Sequence, residues 1–409
     1  MTQATTAAEA GGIRRGQLLA ILIVTTGVGI LAMNMVLPSL PTMAREFDAT
    51  YGAVQYVLTM FLFAQAFGQL VYGSLSDRFG RRPVMIVGLV IFVAGSLINA
   101  FAWNLPMLLI GRVIQGAGGC CGLVLGRAIL RDLFDRDKSA SMLAFVTMSM
   151  VVAPMVGPAL GGLFQETVGW RAGMLLLVVT GAAVLVLVFL RLPETHLNRG
   201  ESSGFTHLLR AAGHLLSNPL FLFYCGIMAF TSATFFAFLG GAPYITIELM
   251  GRGPGEFGLW AMTMAVGYIA GNYVTGRYAT ALGTRRMMRL GTVIGVIGGI
   301  IVVGFAVYGP AVPLALFAPM MIVTFSNGLV MASAVSSAVS VRPDLAGAAA
   351  GLSGTIQIGT GAVTTILVGA MHDGTSLPTT AMVLLAAALA LVCFLAASRY
   401  PDPTDAPIH

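Results

Sequence analysis

Long apolar runs recur along this sequence, and they constrain the fold more than any other feature. A run of roughly 20 residues is long enough to cross a hydrocarbon core of about 30 Å as an α-helix. Only 9% of the 409 residues are charged and 57% are hydrophobic, so a water-soluble globule would lack a polar surface. The pattern predicts an all-α membrane protein with twelve transmembrane helices, at 17–39, 52–75, 83–102, 105–130, 139–164, 171–191, 219–243, 255–278, 286–308, 312–338, 346–370 and 378–398.

The basic residues predict how these spans are oriented, because cytoplasmic loops accumulate Lys and Arg. With both termini placed in the cytoplasm, only three of the 22 basic residues face the opposite side, namely Arg45, Arg171 and Arg252. The net charge of +6 is explained by this topology and gives no reason to expect a nucleic-acid partner. We expect the lipid bilayer to be the protein's surroundings.

The chain also contains an internal repeat. With a shift of 203 residues, VYGSLSDRFGRRPVMIVGLVI, from Val71, aligns without a gap with VTGRYATALGTRRMMRLGTVI, from Val274. Both copies join the second predicted span of a half to the third, as a duplicated transporter requires. We therefore expect two pseudo-symmetric six-helix halves, 1–192 and 219–409, joined by a polar cytoplasmic linker at 193–218.

Five segments then make a family resemblance specific. GSLSDRFGRRPVM, from Gly73, resembles the signature loop of the major facilitator superfamily, and the chain resembles the bacterial Bcr/CflA drug-efflux branch of that family. Four further segments agree in order: LPSLP at Leu37, GRVIQGAGG at Gly111, APMVGPALGG at Ala153 and LPET at Leu192. The resemblance covers essentially the whole chain and is weaker in the second half.

This resemblance implies a function. It predicts a multi-pass, monomeric exporter of small amphipathic drugs in the bacterial inner membrane, working by alternating access without a cofactor and driven by inward proton movement. An enzyme is not expected, because the sequence has no soluble catalytic domain, no cluster of metal-ligand residues and no nucleophile with a base partner.

The signature loop supplies the first candidate functional residues: Gly73, Asp77, Gly80, Arg81 and Arg82. The two glycines permit a close helix approach and a tight turn. Asp77 is an acidic group among three arginines, and the resemblance implies that it acts as a conformational latch against the start of the eleventh span, near 345–347. The alternative is a charge cluster that serves topology alone. The second copy has Thr280 at the acidic position, so the two gates are expected to be unequal.

A second group of candidates lies inside the membrane. Arg112 is about 10 Å from the outer end of its span, and an Arg at such a depth costs at least about 2.5 kcal/mol, so it is expected to face the interior. The resemblance links the segment containing Arg112 and Gln115 to proton coupling. A structural Arg bonded to backbone carbonyls is the alternative.

One departure from the family pattern bears on that coupling. Many relatives carry an aspartate in the first span where this chain has Asn34, which cannot titrate. None of the 16 acidic residues or five histidines falls at mid-membrane. Asn34 is therefore expected to hydrogen-bond Arg112, directly or through water. Two possibilities stay open: coupling through shallower groups such as Asp77, or a charge brought by the substrate. In the second case the protein would exchange a small organic anion held by Arg112, without a carboxylate relay.

The fifth span contains the third group, Pro154, Gly157, Pro158 and Gly161, which resembles the antiporter signature of drug exporters. The prolines remove hydrogen-bond donors and the glycines open a packing face, which predicts a bent helix. Ordinary tight packing is the alternative.

Substrate contacts are expected from flexible, aromatic and amide side chains, which suit varied apolar ligands. Each of these residues could equally face lipid or pack in the core. The candidates are Met33, Tyr56, Gln65, Phe236, Tyr244 and Asn272.

Overall fold

The computed structural model describes residues 15–133, 136–195, 205–342 and 345–401. The predicted cytoplasmic positions of the two termini lie outside these residues. The first eight helices are α1 (Arg15–Met35), α2 (Leu40–Glu46), α3 (Tyr51–Phe79), α4 (Arg81–Ala100), α5 (Leu105–Gly119), α6 (Cys121–Leu133), α7 (Arg136–Thr167) and α8 (Trp170–Arg191). The others are α9 (Phe205–Leu216), α10 (Pro219–Tyr244), α11 (Pro254–Leu282), α12 (Thr284–Tyr308), α13 (Pro313–Ser340), α14 (Ala346–Ala370) and α15 (Leu377–Ala397).

Several of these helices combine into single spans. A short 3₁₀ turn (Leu37–Ser39) joins α1 to α2, a break at Cys120 separates α5 from α6, and a π-helical turn (Ile245–Leu249) extends α10. Within the described ranges, ten spans are long and apolar enough to cross a membrane. The two long helices outside this set, α7 and α11, pack against each other. Together they make up the predicted number of twelve.

Local sequence explains where the helices begin. The Thr50 hydroxyl accepts a hydrogen bond from the Ala53 amide at the start of α3, at 3.2 Å, and Asn104 Oδ1 accepts one from the Met107 amide at the start of α5, at 2.9 Å. These side chains satisfy amide groups that would otherwise lack a partner at the first turn. Proline occupies the first turn of α10, where its missing N–H is not needed.

The internal repeat is visible in the backbone. Gly80 ends α3 with a φ of 98°, and Gly283, 203 residues later, ends α11 with a φ of 83°. A positive φ is accessible to glycine without steric cost. The tight turn expected at Gly80 is therefore present, and it recurs in the second copy.

The predicted linker at 193–218 contains a helix, α9, that its polar sequence did not indicate. Ala211 and Leu215 are buried, whereas Arg210 and His214 are exposed. Apolar residues four apart lie on one face of a helix, so α9 is held against α14 by that face.

Two further contacts tie the first six spans to the last six: α3 packs against α14, and α7 packs against α11. We call the end of the bundle that carries residues 73–82 the loop end and the opposite end, which carries Arg45, the Arg45 end. The chain runs from the Arg45 end to the loop end along α3 and α11, and back along α7 and α14.

Candidate functional site

Arg112 lies at the centre of a buried polar network, which we call the Arg112 cluster: Ser96, Asn99, Arg112 and Gln115. All four side chains are fully buried. Arg112 Nη1 donates to Gln115 Oε1 at 2.6 Å, and Asn99 Nδ2 donates to the same oxygen at 3.0 Å. Gln115 Nε2 donates to the Ser96 hydroxyl at 2.8 Å. The cluster thereby connects α4 and α5.

The guanidinium of Arg112 extends this network to two more helices. Nε donates to the Val57 carbonyl at 2.9 Å and Nη1 to the Ala32 carbonyl at 3.0 Å, so α3 and α1 are also held. The guanidinium carbon lies 4.3 Å from the centre of the Phe61 ring, at a distance typical of cation–π contact. Among the described residues, no carboxylate forms an ion pair with Arg112, and its Nη2 has no hydrogen-bond partner.

Asn34 lies beside this cluster without the expected hydrogen bond to Arg112. Its amide nitrogen donates to the Ile30 carbonyl at 2.9 Å, and its amide oxygen has no partner among the described residues. Arg112 bonds instead to the carbonyl of Ala32, two residues earlier. A direct bond is absent here because the Asn34 side chain turns back onto its own helix, and a bond through water stays a prediction.

The glycines of α7 pack against this part of α1. A Cβ at Gly157 would lie 2.8 Å from the Cβ of Asn34, and one at Gly161 would collide with the Met35 carbonyl. The helix continues through Pro154 and Pro158. The predicted signature in α7 is thus a close-packing face directed at the α1 segment that carries Asn34.

At the loop end, Arg81 connects three helices. Its side chain is 3% exposed and forms ion pairs with Asp77 at 2.5 Å and Asp132 at 2.9 Å. Its Nη1 also donates to the Ser76 hydroxyl at 2.5 Å. The ends of α3, α4 and α6 are held together by this one guanidinium. Asp132 was not among the predicted site residues.

Glu194 is a second residue of this end that the sequence did not single out, although the LPET segment contains it. Its carboxylate accepts from the amides of Arg81 at 2.9 Å and Arg82 at 3.3 Å, at the start of α4. A carboxylate is favourable at a helix N-terminus, where amides lack partners. Arg82 in turn donates to the Phe189 carbonyl at 2.8 Å. Glu194 and Arg82 therefore fasten the signature loop to the end of α8.

Two contacts expected of the signature loop are absent from this conformation. Among the described residues, the Asp77 carboxylate bonds to Arg81 and not to the start of α14. Gly73 was expected to permit a close helix approach, but a Cβ there would meet nothing within 4 Å. Gly73 follows Ala66 and Gln69 on the stripe of α3 that faces α14. Those two positions contact Thr355 and Gly354, so α3 and α14 separate beyond them.

The Arg45 end is closed by polar contacts between the first and last six spans. Arg45 forms an ion pair with Glu248 at 2.5 Å, and these two residues are 203 positions apart in the chain. Glu166, at the end of α7, accepts from the Gly255 amide at the start of α11, at 2.8 Å. The hydroxyls of Thr59 and Thr365 are hydrogen-bonded at 2.6 Å.

A second set of contacts at this end surrounds Tyr51. The Tyr51 hydroxyl and the Gln55 amide both donate to the Gly240 carbonyl, at 2.9 and 2.8 Å. The Tyr51 ring lies 5.0 Å from the Tyr244 ring and 5.3 Å from the His372 ring. Burial lowers the pKa of His372, and the neighbouring Asp373 opposes that shift.

The six predicted substrate residues lie in different surroundings. Met33, Gln65 and Phe236 are buried, Tyr56 is 38% exposed, and Asn272 donates to the Tyr268 carbonyl at 2.9 Å. Tyr244 belongs to the contacts of the Arg45 end, where its ring lies 4.3 Å from that of His372. Phe236 packs against Gly361 of α14.

The fold, the repeated glycine turns and the buried Arg define a class of membrane transporter. The profile of the Major Facilitator Superfamily matches residues 22–251, and the chain belongs to this family. The predicted fold class is confirmed, and the chain is a multi-pass membrane transporter and not an enzyme.

Similar proteins agree with the branch that the sequence indicated. The chain is 30% identical to Multidrug resistance protein D of Escherichia coli, over 86% of this chain and 89% of that protein. It is 29% identical to a Bicyclomycin resistance protein homolog of Haemophilus influenzae, over 86% of this chain and 90% of that protein. A solved bacterial homolog of the human lysosomal transporter Spinster, inward-facing and unoccupied, has a TM-score of 0.71 at 13% identity. The superposition covers 94% of this chain and 98% of that structure. This similarity shows the fold alone.

Proposed function

We propose that this protein exports amphipathic drugs from the bacterial cytoplasm by alternating access, driven by inward proton movement. The observation that carries the proposal is the similarity, over most of the chain, to proteins named for bicyclomycin resistance and multidrug resistance. The fit of the signature loop and of the glycine face of α7 to drug exporters supports the same function.

The closure of the bundle supports the transport cycle. With the loop end in the cytoplasm, as the basic residues predict, this conformation is closed on the outside and separated at Gly73 on the inside. The equivalent glycine of the second copy, Gly276, also has nothing within 4 Å. A substrate entering from the cytoplasm would meet the halves in this arrangement, and its release would require the contacts around Arg45 to break.

The described part of the chain contains no buried carboxylate that could carry a coupled proton. We propose that coupling uses acidic groups nearer the ends of the helices, such as Asp77, whose pairing with Arg81 changes if the loop end closes. The alternative, an exchanger of an organic anion held by Arg112, is less favoured. Arg112 is fully enclosed, and its Nε and Nη1 bond to Ala32, Val57 and Gln115, so a substrate has no access to it in this conformation.

The test is drug tolerance and dye efflux in an efflux-deficient bacterial host. We expect the full chain to raise tolerance to several amphipathic drugs and to lower ethidium accumulation, and a protonophore to remove both effects. The empty vector is the control. Efflux that persists with the protonophore would contradict proton coupling but not drug export. Unchanged tolerance to every drug, together with transport of an organic anion in membrane vesicles, would favour the alternative.

A further inference from the structure

An unpaired glutamine lies on α3 at the junction with α14. Gln69 is 9% exposed, its Nε2 is buried without a partner, and it makes no hydrogen bond to the described residues. A Cβ at Gly354 of α14 would lie 2.8 Å from Gln69 Oε1, so the glycine leaves room for this amide. A buried amide without a partner costs stability, which a packing role would not require.

A second glutamine lies nearby on α14 and is held in one orientation. Gln357 Nε2 donates to the Ser232 hydroxyl of α10 at 2.7 Å. Its Oε1 accepts no hydrogen bond from the described residues, and the side chain is only partly buried. The amide oxygen is therefore available to a ligand, while Ser232 keeps the group from rotating freely.

Gln69 lies at the junction of the two halves, and Gln357 lies on the side of α14 that packs against α10. Gly354, Gln357, Gly361 and Thr365 follow one stripe of α14, at the spacing that places residues on one side of a helix. Gly361 of this stripe contacts α10, whereas Gly354 and Thr365 contact α3. Gln357 is three residues from Gly354, a rise of about 4.5 Å, so Gln357 lies within about one helical turn of the position that Gln69 contacts.

We propose that Gln69 and Gln357 form a binding site for a neutral amide group of the substrate. A secondary amide has an N–H donor and a C=O acceptor side by side. Gln357 Oε1 would accept from its N–H and Gln69 Nε2 would donate to its carbonyl, which uses both unpaired atoms. This assignment rests on the proposed export of small amphipathic molecules, and it adds the chemical group that the site recognises.

The surroundings favour a neutral ligand over a charged one. Ser232, beside Gln357, also contacts the sulfur of Met331 at 3.8 Å. Phe236 of α10 packs against Gly361, which is one turn beyond Gln357 on α14. No described ion pair or charged hydrogen bond involves either glutamine. A charged group placed here would lose its hydration without gaining an opposite charge.

The test uses two probes of the same shape, N-benzylbenzamide and benzyl benzoate, which differ by an amide N–H against an ester oxygen. Binding of each is measured by equilibrium dialysis with the purified full chain in lipid nanodiscs. We expect the wild-type protein to bind the amide about tenfold more tightly than the ester, the size of effect that one added hydrogen bond produces. Equal affinity of the wild type for the two probes would overturn the proposal.

Variants locate the preference. Gln69→Met and Gln357→Met both keep the length of the side chain and remove the amide. Gln357→Met loses the acceptor for the N–H, so we expect it to bind both probes equally, with the wild-type affinity for the ester. Gln69→Met loses the donor to the carbonyl that both probes share, so we expect both to bind about tenfold more weakly while the preference for the amide remains. Gln165→Met, at the Arg45 end, is the matched control and is expected to keep the preference. If Gln357→Met does not fold, Ser232→Ala, which frees the Gln357 amide, is expected to weaken the preference by several-fold. A preference that survives in Gln357→Met would contradict the site.

Efflux measurements separate this proposal from the proposed function. If the wild type prefers the amide in binding but exports nothing, the site stands and the export function fails. If ethidium is exported while the wild type binds both probes equally, the export function stands and the site fails.

Discussion

The two halves of the molecule place different chemistry at the same position of the repeat. In the first half, Gly95 packs beside Gln115, and the glutamine amide is the centre of the Arg112 cluster. In the second half, Gly298, 203 residues after Gly95, packs beside Val323. Val323 therefore occupies the place of Gln115, and the second half has an apolar contact where the first has a hydrogen-bond network.

The same correspondence pairs Arg112 with Met320. Arg112 lies three residues before Gln115, and Met320 lies three residues before Val323. Arg112 and Met320 are both fully buried. Both side chains are long, unbranched at Cβ and flexible, so the backbone of the repeat accommodates either. Duplication preserved the packing of the helices, whereas the buried charge is confined to one half. A buried Arg is costly to keep in a membrane, so we predict that it serves transport more than folding.

The most severe test of this difference converts the first half to the pattern of the second. Arg112→Met removes three hydrogen bonds and a buried charge, and we expect it to abolish ethidium efflux. The lost bonds and the relieved desolvation oppose each other, so the free energy of unfolding should change by less than about 3 kcal/mol. Efflux in cells and thermal unfolding of the purified variant measure the two effects.

Met320→Leu is the matched control in the second half, since a swap between side chains of similar volume usually costs less than about 1.5 kcal/mol. It should retain efflux. Normal efflux by Arg112→Met would show that the polar cluster is dispensable and that the two halves are equivalent in function.

Some features of the two halves could be predicted from the sequence and others could not. The glycine turns at Gly80 and Gly283 were predictable, because glycine in a repeated turn indicates a positive φ. The burial of Arg112 was predictable from its depth in an apolar run. Its partners were not, because Ser96 and Asn99 are small polar residues of a kind that occurs throughout such helices.

The contacts of the two ends were also beyond prediction. Arg45 and Glu248 are equivalent positions of the repeat with opposite charges, so a search for identical residues overlooks them. The helix α9 was missed because one short amphipathic helix does not stand out in a polar linker. Glu194 lies in a recognised segment, but nothing in LPET indicates that its carboxylate reaches the start of α4.

A second test concerns the separated loop end, where the halves are alike. Gly73 and Gly276 both face open space, so Gly73→Trp should fold with a change in unfolding free energy of about 0.5 kcal/mol or less. If the loop end must close during transport, the indole prevents it, and efflux should fall to a small fraction of the wild-type rate while substrate binding persists. Efflux assays and probe binding by the purified variant check both statements.

Gly304→Trp is the control, because Gly304 also has nothing within 4 Å but lies on α12, away from the α3–α14 and α7–α11 contacts. Spin labels at the exposed positions Arg78 and Arg277 report the separation of the loop end. Wild-type rates in Gly73→Trp would exclude closure of the loop end at this position.

The third test uses His372, which lies in the turn after α14, where the equivalent turn of the first half has Gly169. The ring faces Tyr51 of α3 and Tyr244 of α10, with Glu248 and Asp373 as the nearby acidic groups. Burial lowers its pKa from about 6.5 in this closed arrangement. Protonation therefore favours a conformation in which the ring is hydrated, and the Arg45 end should open as the pH falls below about 6.5.

Above that pH the closed arrangement keeps its full stability, and the shift towards opening ends once the pH passes below the lowered pKa. Each unit of difference in pKa between the two conformations changes their ratio about tenfold. Spin labels at the exposed positions Trp103 and Tyr308 measure the opening between pH 5 and 8, roughly the range of histidine. His372→Phe keeps an aromatic ring in the contact and should remove the dependence; an unchanged pH profile in this variant would assign the effect to another group.

The smallest expected effect belongs to the ion pair in which the halves carry opposite charges at equivalent positions. The Arg45 side chain is 62% exposed and that of Glu248 is 33% exposed, so the pair should stabilise the closed Arg45 end by only about 0.2 to 1 kcal/mol. Arg45→Ala should increase opening by a factor of about 1.4 to 5, measured with the same labels at low salt. The exchanged protein, carrying both Arg45→Glu and Glu248→Arg, should close like the wild type, because the repeat places the two positions opposite each other. Arg252→Ala is the control. It removes the ion pair between Arg252, just before α11, and Glu256 in its first turn, and it should leave the opening unchanged. If the exchanged protein opens as much as Arg45→Ala, the charges act on other groups and their equivalence in the repeat has no part in closing this end.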